Sequence, residues 1–417
     1  MPESTLWHFR AAHLFVWIGF LGVLFAGLPA SGRFRRTVPP LRPEVRIPVE
    51  PLGYEPPGAL PALNNFALVE LRYIDATHIL FVFNQHGLIR PDHSCQLPDT
   101  EQRMMRAVVL EVPSGKVERQ ASWALYDLGG FLWSLHDGTF LVRRCTTLDR
   151  VGSSLALKPW IAGAEKIQSV ILSPDRSLMI LEEGSSPSTT QAAPHAAAHP
   201  ASPFALRPDN PLEPFSVQFI ALQPLRVFAR ARLQTPGYIP LMDSGFLEEL
   251  PAAHSRWMFM LHSFSGQPRE ITKMTSYCRP QLTPLASQIF VAMSCPNPQA
   301  LEYNAYNLQG GHLWRLPFDQ DRLLPHYLLT RDGAHFAVET LEMAAPHVAL
   351  NPLTKEDVRG QILEIFDTAT GQNIGQMEMA PIYTGGRNAD FSPDGTRIAV
   401  LRDGAIEIYR LNDLGPH

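Results

Sequence analysis

Between Asn388 and Leu411 the chain reads NADFSPDGTRIAVLRDGAIEIYRL, in which three short apolar runs alternate with two polar turns. The runs centre on Phe391, on Ile398 to Leu401 and on Ile406 to Tyr409, and the turns are Ser392-Pro393-Asp394-Gly395 and Asp403-Gly404. β-Branched and aromatic runs bounded by Asp-Gly pairs predict three consecutive antiparallel strands. Pro393 presets φ for the second position of a type I turn, Ser392 and Asp394 bond local backbone groups, and Gly395 supplies the left-handed residue that returns the chain.

Looser copies of the first hairpin recur. Phe66 to Phe83 turns at Asp75-Ala76-Thr77, Phe131 to Arg143 at His136-Asp137-Gly138, and Val170 to Glu182 at Ser173-Pro174-Asp175. Ile239 to Leu247 turns around Asp243, Gln281 to Met293 at Pro284 to Ser287, and Tyr327 to Glu339 at Arg331-Asp332-Gly333. A second pattern, strand, polar turn ending in glycine, strand, lies between these turns at Val109 to Gln120, Phe259 to Ile271, Tyr306 to Leu316 and Ile365 to Gln376. The closest turns are about 40 residues apart, which is the period of a four-stranded propeller blade. The expected fold is therefore an all-β propeller of seven four-stranded blades. The last unit holds three strands, so its fourth must come from the other end of the ring, between Val45 and Leu68.

The Ser392 to Val400 stretch resembles the WD40-like, or PD40, repeat of TolB-type propellers, with looser likeness at Ser173 to Ile180 and Arg331 to Val338. Asp367 to Gly371 (DTATG) is similar to hairpins of YVTN-type and quinoprotein propellers. The resemblance implies an exported propeller of uncharacterised type. It carries no TolB partnership, because no N-terminal α/β domain is recognisable.

The remaining segments divide the chain. Residues 1–32 contain the apolar run Leu14 to Leu28, which reads as a signal peptide or a retained membrane anchor. Arg33, Arg35 and Arg36 follow at once and resist translocation. The Pro-rich stretch 33–61 reads as an extended tether, with Val45 to Val49 able to dock as an edge strand. The propeller is expected over 62–411, interrupted by a low-complexity disordered insertion at 184–214 and a second insertion at 341–359, with a tail at 412–417. The expected location is extracytoplasmic, in the periplasm or at the cell surface, with inner-membrane anchoring as the variant. Cys278 and Cys295 flank one hairpin and are candidates for a cross-strand disulfide; Cys95 and Cys145 would pair across neighbouring units.

The formal net charge of −5 gives no basic field, which argues against a nucleic-acid partner. There is no HExxH, GxSxG, phosphate-binding Gly-rich loop or dinucleotide fingerprint. Asp137, Asp175, Asp332 and Asp394 read as turn residues. His195 and His199 lie in the Ala/Pro-rich insertion, and His326, His335 and His347 read as surface or satisfied histidines. No catalytic, cofactor-binding or metal-ligating residue is assigned and no cofactor is indicated. The expectation is a non-catalytic binding or scaffold module taking a protein or small-molecule ligand at a propeller face. The alternative is a metal-dependent hydrolase or lactonase with a central-channel site, for which Glu70, Asn304 and Asn388 are the nominal donors. A membrane-anchored sensor is a third reading, and membrane contact is expected only through the N-terminal segment.

Overall fold

The run Ile398 to Leu401 is apolar at four successive positions because both of its faces are buried. Ile398 and Val400 pack with Leu363, Ile365 and Met377 of the preceding sheet, while Ala399 and Leu401 pack with Val69, Leu71 and Phe81 of the next. Ile79 to Phe83 follows the same rule: Ile79, Phe81 and Phe83 face one neighbour, Leu80 and Val82 the other. Each sheet is thus sandwiched between two others, which only a closed ring of sheets provides.

The computed structural model describes residues 42–56, 69–91, 101–125, 130–163, 166–184, 215–233, 238–298, 300–319, 321–344, 357–383 and 386–413. They form seven four-stranded antiparallel sheets, the blades of a β-propeller. Blades 1 to 6 span residues 69–125, 132–162, 167–233, 241–275, 281–318 and 322–379, and in each the first strand is innermost. Blade 7 takes three strands from the C-terminal end, Ala389–Phe391, Arg397–Arg402 and Ala405–Arg410, and its outermost strand from the N-terminal side, Val45–Pro48. Val45 lies opposite Ile408 and Ile47 opposite Ile406. Ile47, Val49, Leu52 and Tyr54 are buried in the core shared with blade 1, so this part of the Pro-rich stretch is built into the ring. Among the described residues no helix is long and apolar enough to cross a membrane. The apolar run Leu14 to Leu28, the tract 185–214 and residues 345–356 lie outside the described residues.

Every turn singled out by the repeat joins the first and second strands of a blade, so all seven lie at one end of the ring. One position is corrected. In blade 5 the inner strand runs Gln281–Ala286 and the turn is Ser287-Gln288, so Pro284 lies inside the strand. The 341–359 insertion is shorter than expected, because Leu341–Met343 and Val358–Arg359 continue blade 6 strands.

Candidate functional site

The turn end of the ring carries a recurring local structure. In blade 7, Ser392 Oγ accepts from the Arg397 N–H at 2.9 Å and donates to Asp394 at 2.5 Å, while Asp394 accepts from the Thr396 N–H at 3.2 Å. Blade 3 repeats it with Ser173, Asp175 and Ser177 at 2.7 and 2.8 Å. The turn aspartates Asp75, Asp137 and Asp332 likewise accept backbone N–H groups two residues on. Their first role is to shape turns.

Below the turns, the free edges of the inner strands face the ring axis, and charged side chains occupy them. Asp390 of blade 7 accepts the Tyr73 N–H of blade 1 at 2.8 Å. Arg72 of blade 1 donates to the Leu71 and Ala389 carbonyls at 3.1 and 3.2 Å and lies 2.8 Å from Glu70 and 3.9 Å from Asp390. Glu70 is fully buried, and its other oxygen accepts from Arg387 at 2.5 Å. Burial pushes the Asp390 carboxyl up to about 6, with Arg72 pulling against it.

Three cationic or basic groups reach the same space from the turns. Arg176 follows the turn aspartate of blade 3. Its Nη1 donates to the Ser173 carbonyl at 3.0 Å, and its Nε is buried without a partner. Burial, and then Arg72, drive its guanidinium down to about 10, while Asp390 on blade 7 opposes them. Blades 3 and 7 lie across the ring from each other, so the Arg176 charge is felt on the far wall. His136, in the blade 2 turn, is forced down to about 3 by burial and by Arg176 and Arg331. Arg331 belongs to blade 6, again across the ring, and is exposed.

The acidic groups nearby are already engaged. Burial works to raise Asp175, but hydrogen bonds from Ser173 and Ser177 outweigh it and hold the carboxyl below its usual range. The Asp175 N–H donates to Asp243 of blade 4 at 3.1 Å, and burial raises the Asp243 carboxyl. Asp137 is bonded by Thr139 and by Arg150 at 2.6 Å. Tyr238 of the blade 4 approach is 59% exposed and lies within electrostatic reach of Arg176. The channel mouth is thus polar, drawn from blades 1, 2, 3, 4, 6 and 7, with guanidinium groups facing its space.

The nominal donors are not brought together. Glu70 is ion-paired with both Arg72 and Arg387. Asn304 lies on the third strand of blade 5, bonded to Ser294 and Glu302 at 3.1 and 2.9 Å, two strands away from the axis. Asn388 is buried with neither side-chain atom hydrogen-bonded. Arg387, Arg72 and Arg176 were missed because their partners are hundreds of residues away or absent from the repeat pattern. His326 is satisfied by Glu339 at 3.1 Å, and His335 is part-buried at the start of a blade 6 strand. His195, His199 and His347 lie outside the described residues. Among the described residues no group of three or more His, Cys, Asp or Glu could hold a metal. Cys278 and Cys295 form a disulfide with Cα atoms 5.4 Å apart. Cys145 is also disulfide-bonded, and Cys95, its expected partner, lies outside the described residues.

No protein-family model matches the chain, and no curated protein matches it. Among solved structures, the WD40 domain of Toxoplasma gondii coronin is similar at 8% identity, covering 91% of this chain and 92% of that one, with a TM-score of 0.47. The β-propeller domain of the trilobed protease from Pyrococcus furiosus, described as having an open velcro topology, is 11% identical over 82% and 95% of the two chains, TM-score 0.46. The acylaminoacyl peptidase of Pyrococcus horikoshii is 12% identical over 84% of this chain and 52% of its own, TM-score 0.47, so this chain spans about half of that protein. These likenesses concern the fold.

Proposed function

We propose that the protein is an exported, non-catalytic binding module of the WD40-like (PD40, TolB-type) kind, with its ligand, a small molecule or a protein segment, seated at the turn-end mouth of the channel. The observation that carries this reading is the convergence of unlike polar side chains from six blades on that mouth. Ring closure leaves loops and channel as the recognition surfaces. The Cys278–Cys295 disulfide and the bonded state of Cys145 suit an oxidising compartment, which supports export.

The metal-dependent hydrolase reading has less support. A divalent cation in the channel would face Arg72 and Arg176, and the carboxylates beside them are engaged by turns or, for Glu70, by Arg72 and Arg387. The test is hydrogen exchange with pooled small molecules and exported-protein fractions, beside assays on lactone, ester and phosphoester substrates with and without Ca²⁺. Protection confined to residues 75–77, 136–139, 173–177, 243–244 and 330–334, without turnover, is expected. Cation-dependent turnover, or protection confined to the outer strands, would overturn the reading.

A further inference from the structure

In four inner turns the aspartate accepts the N–H two residues on, and the residue after it takes the left-handed conformation. In blades 2, 6 and 7 that residue is Gly138, Gly333 or Gly395, with φ of 77, 70 and 66°. In blade 3 it is Arg176, with φ of 61°. A side chain there carries a steric cost that glycine avoids, and local strain of this kind concentrates where a residue is needed for binding. The backbone offers no reason for arginine, since Arg176 N–H makes the same bond to Ser173 O, at 3.0 Å, that Gly395 N–H makes to Ser392 O at 2.9 Å.

The surroundings show what the side chain offers. Beyond one carbonyl, its guanidinium has no ion-pair partner among the described residues, and its Nε is buried without any hydrogen bond. Arg331, across the ring, is exposed and likewise lacks an ion-pair partner among the described residues. His136 stands within the electrostatic reach of both. Asp390, Asp175 and Asp243 stand within electrostatic reach of Arg176, but none forms an ion pair with it, and each is held in place by other bonds: Asp390 by the Tyr73 N–H, Asp175 by Ser173 and Ser177, and Asp243 by the Asp175 N–H.

We propose that Arg176 anchors an oxyanion of the ligand, a carboxylate or a phosphate, at the channel mouth. The proposal rests on the binding-module reading and names the chemistry of its ligand. A planar guanidinium with free N–H donors matches either oxyanion, and its bonds strengthen where the surrounding walls lower the dielectric.

The experiment uses the full chain at low ionic strength with inorganic phosphate and citrate as separate probes, against chloride-matched controls, read by calorimetry and thermal melting. The key variant is Arg176→Gly, which restores the Ser-Pro-Asp-Gly turn. It should melt at the same temperature as wild type or up to about 2 °C higher without probe. It should bind roughly ten- to hundredfold more weakly. Arg176→Lys should fall between, because it keeps the charge and loses the fork. Response to phosphate alone assigns a phosphate ligand, and response to citrate alone a carboxylate. Wild type binding neither probe, Arg176→Gly binding both unchanged, or Arg176→Gly melting well below wild type would overturn the proposal. An uncharged ligand that protects the turn end and binds Arg176→Gly normally would sink the oxyanion assignment while leaving the binding module intact.

Discussion

Arg387 of blade 7 donates to Glu70 of blade 1 across the closing seam of the ring, Nη1 to Oε1 at 2.5 Å. The Leu71 N–H donates to the Arg387 carbonyl beside it at 2.9 Å. Glu70 is fully buried and also holds Arg72, so one carboxylate is shared by two guanidinium groups. Gly130 leaves the space that the Arg387 guanidinium fills, where a Cβ would collide with it.

Breaking such a group by removing its anion strands buried positive charge. Glu70→Gln should therefore destabilise the domain by about 3–5 kcal/mol in urea unfolding. An unchanged midpoint would mean that the seam is held by its backbone pairing alone.

Ring closure depends on Val45–Pro48 in the same way. Ile47 is 4% exposed, pairs with Ile406 and packs beside Gly115 of blade 1. Ile47→Asp should cost about 3 kcal/mol or more, through lost apolar burial and a buried unpaired charge. Removing residues 42–54 should expose blade 7 to limited proteolysis and lower the melting temperature of the whole domain. A truncated chain that melts like the intact one contradicts closure by this strand.

Glu182, on the second strand of blade 3, provides a pH test. Burial raises its carboxyl from the usual 4.5 to about 7, and its Oε1 has no hydrogen-bond partner. A raised carboxyl means that the folded state holds the proton more tightly than the unfolded one. Its favourable contribution is therefore complete below about pH 4.5 and is lost as pH rises through about 7. Glu182→Gln should be near neutral at pH 5 and stabilising by about 2–3 kcal/mol at pH 8, measured by denaturation at both pH values. Equal effects at both would show that the carboxyl titrates normally.

The turns explain how much was legible in the chain. Ser392 to Gly395 declares its hairpin because every residue has a local backbone reason, and the copies at Asp137, Asp175 and Asp332 share those reasons. The blade 5 turn was misplaced because Pro284 looks like a turn residue. In the structure it sits in an innermost strand, beside a bulge, where proline's missing N–H is tolerated on the free edge. Val45–Pro48 lies within a proline-rich tract that masks its alternation, and only the shortage of one strand in the last unit pointed to it. The site was far less legible. Arg176 reads as a blemish in a repeat until its φ of 61° places it in the left-handed position that glycine fills in blades 2, 6 and 7. Arg72 and Asp390 meet across a separation that no local pattern encodes.

The central claim is that Arg176 presents its charge to the channel mouth at the turn end, and His136 reports on it directly. It faces Arg176, Arg331, Asp175 and Asp137, and burial with the two arginines lowers it from 6.5 to about 3. Because the folded state resists protonation, the stability linked to His136 is present above about pH 6.5 and is lost as pH falls towards 3. The measurement is a histidine ring NMR titration of wild type and Arg176→Gly, with the signal assigned through His136→Gln. The account predicts a neutral His136 ring down to about pH 4 in wild type and a midpoint moved upward in Arg176→Gly. A wild-type midpoint near 6.5, unmoved by the substitution, would contradict it.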